Sequence, residues 1–208
     1  MRKRSVLSVI KGLRRQIFTT REISSISGKS SSCVTQALNN LVGEKAVTKI
    51  YRGVWAEEGL TAVSPYAAMP YLFPKECVYI SFISALHIHG MVEQIPQVTT
   101  IASTAHGRVL RTKIGVFYVH HITSSFFSGF GWYKGNGSFL IADPEKALID
   151  SLYLSAYKKK RFGHFPELHF PASFSFEKAK RWANKIPSRR ARAHVKKRIE
   201  EIIKGTAI

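Results

Sequence analysis

Acidic side chains are scarce in this 208-residue chain: 13 Asp and Glu stand against 32 Lys and Arg, a formal net charge of +19. A field of that sign points to a polyanionic partner, nucleic acid first. Cysteine is scarcer still. Cys33 and Cys77 are the only two, too few to staple a fold of this size, which excludes a disulfide scaffold and fits a reducing cytoplasm. Neither has a CxxC partner and no HExxH occurs, so the common zinc signatures are missing and no metal or cofactor is expected. Long apolar runs are also missing. Nothing approaches the roughly 18–20 residues of a membrane helix, so no membrane partner is expected. Met1-Arg2-Lys3-Arg4 and the residues after them imitate a signal peptide, but Lys11 ends the apolar run too early.

What is present suffices for a buried core. The chain is 45% hydrophobic and 12% aromatic, which excludes a disordered or low-complexity polymer. Its length allows two small domains or one medium one. Charge is distributed unevenly: residues 1–56 carry 11 basic and 2 acidic side chains, residues 57–156 carry 6 and 7, and residues 157–208 carry 15 and 4. Two basic ends flank a neutral, aromatic-rich middle, so the ends are expected to touch the anion and the middle to serve another role. The division that follows is a domain over 1–56, a linker over 57–73 and a domain over 74–208.

Residues 1–56 read as three helices and a pair of short strands. Val6, Val9, Ile10 and Leu13 recur at helical spacing. Thr19 and Glu22 form a capping box that opens a short second helix, with Ile23 and Ile26 as its buried face. Gly28 supplies the turn. A third helix starts at Ser30 or Ser31 and runs to about Gly43, with Val34, Ala37, Leu38 and Leu41 inward. Its opposite arc holds Ser32, Thr35, Gln36, Asn39 and Asn40, short uncharged donors and acceptors of the kind that read base edges in a major groove. Lys29 and Ser31 stand at its start. Cys33 is expected to be a small packing residue there. Residues 46–55 read as two strands, with Lys49, Tyr51 and Arg52 on a basic wing beside the DNA backbone. The layout is that of a winged helix-turn-helix with the third helix as reader.

Pro65, Pro70 and Pro74 make residues 64–75 an extended connector rather than a helix. Strand-like runs follow at 98–102, 113–121 and 138–142, and Asp143-Pro144 opens a helix with Asp143 as N-cap. The segment Tyr79-Ile80-Ser81, then Ser84-Ala85-Leu86, His89-Gly90, Ile95-Pro96, Val119-His120-His121 and Asp143-Pro144-Glu145-Lys146-Ala147-Leu148-Ile149-Asp150 resembles the AbiEi-type antitoxins of bacterial abortive-infection and toxin–antitoxin loci. The resemblance covers nearly the whole chain, from about residue 5 to about 205. It implies an α/β (α+β) protein: an N-terminal winged helix-turn-helix, then a mixed α/β antitoxin domain with a basic helical C-terminus. It also implies a repressor of its own operon whose second domain counters a nucleotidyltransferase-like toxin.

Two chemical readings compete with that one. His87 and His89, two apart on a helix, point to different sides and cannot easily share an ion. Asp143, Glu145 and Asp150 beside Lys146 could form a nuclease carboxylate cluster, but Asp143 as cap and Glu145 in the first turn suit the helix dipole without catalysis, and Lys146 can pair with Asp150 one turn on. No catalytic residues are expected. A nucleic-acid-processing enzyme guided by a winged helix is the alternative function, and an RNA-binding protein a third. At the C-terminus, residues 158–161 form a cationic knot, residues 174–186 read as a helix, and Pro187-Ser188 precede a last helix. That helix buries Ala191, Val195, Ile199 and Ile202 and turns Arg189, Arg190, Arg192, Lys196 and Lys197 outward. The first three arginines are expected on DNA phosphates. The expected partner is double-stranded operator DNA with inverted repeats, matched by a dimer on DNA.

Overall fold

The computed structural model describes residues 5–59, 62–135, 139–157 and 166–206. The expected mixture of α and β is present: eight α-helices and two sheets occur among the described residues. The chain divides into two compact units, one of residues 1–75 with 111–115, the other of 76–110 with 116–208.

In the first unit, helix α1 (Val6–Gly12) is followed by strand β1 (Ile17–Thr19), α2 (Thr20–Ser27), α3 (Ser31–Gly43), β2 (Val47–Tyr51) and β3 (Val54–Glu57). The capping box forms: Thr19 Oγ1 accepts from Glu22 N–H and Glu22 Oε2 accepts from Thr19 N–H. Gly28 closes α2 at φ +66. Helix α3 ends at Gly43, as the sequence suggests. Gly43 stays helical, and Lys45 takes the left-handed conformation at φ +56, with its N–H bonded to Val42 O and Ala46 N–H to Leu41 O, the paired bonds of a Schellman motif. The three strands pair antiparallel in the order β1-β3-β2. Val6, Val9, Ile10, Phe18, Ile23, Val34, Leu38, Leu41, Val47 and Trp55 form the core.

Three expectations for this unit are corrected. The extended connector is a helix, α4 (Pro65–Leu72): Pro65 sits at its first position, where no N–H is needed, and Ala68, Met69 and Leu72 bury one face, which offsets the bond lost at Pro70. Ile26 is exposed, and Ser27 is buried beside Ile23 instead. Cys33 is exposed rather than packed.

The second unit holds a mixed six-stranded sheet. Its strands are β4 (Val78–Ile80), β5 (Thr99–Ser103), β6 (Arg108–Thr112), β7 (Gly115–His121), β8 (Phe130–Trp132) and β9 (Leu140–Ala142), in the order β6-β7-β5-β4-β9-β8. β5 runs parallel to β7 and β4 parallel to β9, whereas β4–β5 and β8–β9 are antiparallel. Helices α5 (Phe82–Ile88), α6 (Pro144–Ser155), α7 (Phe176–Asn184) and α8 (Arg189–Thr206) complete it. Every residue of α6 from Glu145 to Ser155 is buried, because α5, α7 and α8 all pack on it. The cationic knot at 158–161 lies outside the described residues, as does Ser138.

Candidate nucleic-acid interface

Helix α3 owes its start to Ser30, whose Oγ accepts from Cys33 N–H at 3.3 Å. At 100° per residue its side chains divide as its burial does. Val34, Leu38 and Leu41 are buried, and Ser31, Ser32, Gln36, Asn39 and Asn40 are exposed. Gln36, Asn39 and Asn40 make no side-chain hydrogen bond among the described residues, so their amides are open to an external partner. Thr35 is half-buried and its hydroxyl donates back to Ser31 O at 2.7 Å, which occupies its donor and leaves its oxygen to accept. Ser32 Oγ lies 3.1 Å from Ser30 Oγ. Lys29 is half-buried, and its carbonyl accepts from Ser24 Oγ.

The hairpin after α3 turns through Arg52 and Gly53, where Gly53 at φ +71 takes a conformation that would strain a side chain. Lys49 and Arg52 are exposed and Tyr51 is half-buried. Lys49 pairs across the strands with Trp55 and holds its ammonium 5.3 Å from that ring's centre. Trp55 is itself fixed by donating from Nε1 to Thr20 Oγ1 at 2.8 Å. The helix and hairpin residues therefore occur in one unit. Arg189, Arg190 and Arg192 belong to the other.

Arg15 of the first unit is already engaged. It pairs with Glu22 and donates to Tyr71 Oη at 3.3 Å. Burial pushes the Glu22 carboxyl up, but donation from Arg15 and Thr19 outweighs it and holds the group below the usual carboxylate range. Sequence reading passed over Lys11, Arg14 and Arg21, which are exposed and have no ion-pair partner among the described residues. Only the segment's charge count pointed to them.

On α8, Ala191, Val195 and Ile199 are buried as the spacing predicts, and Arg189 and Arg190 are exposed. Arg192 is half-buried. Its Nε donates to Ile186 O at 2.9 Å and its guanidinium reaches Pro187 O at 3.4 Å, so it ties α8 to the end of α7.

The carboxylates that the nuclease alternative would use have other partners. Asp143 makes no side-chain cap bond. It and Glu145 share Lys178 Nζ, at 3.1 and 3.0 Å. Burial pushes the Glu145 carboxyl up, yet Lys178 and the Ser175 N–H outweigh it and hold the group low. Asp150 faces the other way and pairs with Lys146, as the spacing allowed, but the pair is fully buried. His87 Nδ1 lies 3.1 Å from Val92 O, and His89 Nε2 lies 2.8 Å from Ala142 O. No cluster of three or more metal-ligating side chains occurs among the described residues, and no helix among them is long and apolar enough to cross a membrane. In comparison with known proteins, the chain matches no family model and no curated protein.

Proposed function

We propose that this protein is a DNA-binding repressor that doubles as an antitoxin. Its first unit acts as a winged helix-turn-helix, with α3 in the major groove and the β2–β3 hairpin as the wing, and it works in the cytoplasm on its own operator. The observation that carries the reading is the outward arc of α3: Gln36, Asn39 and Asn40 stand exposed with their amides unbonded, where a solvated helix would more usually carry Glu and Lys. Asn and Gln are the side chains suited to bidentate contact with adenine. The role of the second unit against a nucleotidyltransferase-like toxin follows from the resemblance to AbiEi-type antitoxins alone. An inverted-repeat operator would take two copies of the chain.

Replacing Gln36 or Asn39 by Ala is expected to weaken binding to the cognate operator by about 1–3 kcal/mol per lost base contact. Affinity for random DNA should stay nearly unchanged, because base contacts specify and phosphate contacts position. Competitive gel-shift titrations with operator and scrambled duplexes measure both. Equal losses on the two would remove α3 from the role of reader.

The basic face of α8 gives an electrostatic test. If Arg189 and Arg190 touch phosphates, each change to Ala should flatten the plot of log affinity against log salt by about 0.9. Arg192→Ala should leave that slope alone and destabilise the chain, since its guanidinium serves the Ile186 and Pro187 carbonyls. Slopes unaltered in the first two variants would leave the arginines as a solvated face.

A further inference from the structure

Two basic segments that lie far apart in the chain meet along strand β2. One is the β2–β3 hairpin with Lys49 and Arg52. The other is the turn that joins β6 to β7, with Arg111 and Lys113, and it groups with the first unit. Strand β2 is an edge of its sheet, and a bulge between Lys49 and Tyr51 leaves Ile50 without an opposite residue on β3. The Ile50 carbonyl accepts from Lys113 N–H at 3.2 Å instead, which seats Lys113 beside the residue two positions before Arg52. The turn is fixed on its other sides as well. Thr112 Oγ1 donates to Gly115 O at 2.8 Å and accepts from Ile114 N–H at 3.3 Å. A Cβ on Gly115 would stand 3.9 Å from Pro65 Cγ of α4.

Lys49, Arg52, Arg111 and Lys113 are all exposed, and none has an acidic partner among the described residues. By contrast Arg108, on the same strand as Arg111, pairs with Glu76 at 2.7 Å. The hairpin's own carboxylates belong to its other end: Glu57 stands opposite Val47, and Glu58 N–H bonds to Ala46 O. At the usual rise per strand residue that end is about 10 Å or more from Ile50. Like charges set side by side repel, so seating a basic turn on a basic hairpin costs stability unless an anion spans the two.

We infer that the turn is a second lobe of the wing. Arg111 and Lys113 take DNA phosphates next to those that Lys49 and Arg52 reach, a role that rests on the winged-helix reading of the first unit. Duplex DNA has the form such a row of cations needs, because each strand presents one phosphate per about 3.4 Å of axis. Phosphate contacts position a protein without reading sequence, so the turn needs none of the amides that mark α3.

Fluorescence-anisotropy titration of the full chain on a duplex from the region upstream of its own gene, repeated across salt concentrations, tests this. Arg111→Ala and Lys113→Ala should each flatten the plot of log affinity against log salt by about 0.9, and the double change by about 1.8. Arg52→Ala, on the hairpin itself, should flatten it as much as either, and Lys113→Arg should keep the original slope. Lys134→Ala removes an exposed lysine of the second unit and should leave the slope unaltered. Alanine at 113 retains the N–H that bonds to Ile50 O, so the turn stays seated. Flattening by Arg52→Ala but by neither turn variant overturns the inference and leaves the winged-helix reading standing. Slopes unaltered in all three overturn both. Flattening by Lys134→Ala as large as by Lys113→Ala would trace the effect to overall charge and overturn the inference. Flattening by the turn variants without Arg52→Ala would also overturn it, because the phosphate track would then bypass the wing.

Discussion

Replacing Asp150 by Ala is expected to destabilise the second unit by about 3–5 kcal/mol, the usual cost of stranding one member of a buried ion pair. Lys146 and Asp150 are both fully buried on α6. Lys146 Nζ also donates to Phe126 O at 3.1 Å and sits 3.5 Å from the centre of the Phe126 ring. Asp150 Oδ2 accepts from Tyr79 Oη at 2.9 Å and Ser81 Oγ at 2.7 Å. Burial pushes the Asp150 carboxyl up and the Lys146 ammonium down, and the attraction between the two charges opposes both shifts. Loss of the carboxylate leaves an ammonium in an aromatic shell and two hydroxyls without their acceptor. A double variant, Lys146→Met with Asp150→Leu, removes both charges and should recover much of the loss, because apolar replacement of a whole buried pair is often neutral. Full recovery is not expected, since Tyr79 and Ser81 would still lack their acceptor. Urea denaturation of the three proteins measures the series. A single Asp150→Ala change costing under about 1 kcal/mol would contradict the buried-pair account, given the magnitudes usual for such pairs.

The second large effect is expected at Gly129. Its φ of +82 lies in the left-handed region, and a Cβ built there would collide with Trp182 Cζ2 and stand 2.7 Å from Cη2. Trp182 has little room to yield. The Phe126 ring lies edge-on to it at 6.5 Å, and Lys185 covers it at 4.3 Å from the ring centre. Gly129→Ala should therefore cost about 1–2 kcal/mol for the backbone and a further 1–3 kcal/mol or so for overpacking. Gly28→Ala is the matched control, because Gly28 has φ +66 and open space around its missing Cβ. It should show only the backbone part. Thermal denaturation of both variants decides the matter, and equal losses would show that the Trp182 contact yields freely.

The parts of this fold legible in the sequence were those set by neighbours in the chain. The Thr19–Glu22 box, the Gly28 turn and the two faces of α3 depend on spacings of three or four residues, and the structure has all of them. Strand β1 is only three residues long and gains its place by pairing with β3 more than thirty positions away, so no local pattern announces it. Helix α4 was hidden by its prolines, whose cost is offset by burial that no window reveals. The pairing of Lys146 with Asp150 could be read from its spacing. Its complete burial could not, because α5, α7 and α8 close over α6 from distant parts of the chain. Arg192 read as one more surface cation because the carbonyls it serves appear only once α7 has ended against α8.

The turn at 111–115 groups with the N-terminal unit, although it joins two strands of the six-stranded sheet, and Lys113 N–H donates to Ile50 O on β2 at 3.2 Å. The N-terminal unit is thus discontinuous in the order of synthesis. A growing chain that has reached residue 75 carries its helices and strands but not its last piece, which arrives roughly 2–8 s later at bacterial or eukaryotic translation rates. Until then the carbonyl of Ile50 lacks that partner, and the hairpin that carries Lys49 and Arg52 is held by its pairing with β1, by the Trp55–Thr20 bond and by the core of its own unit.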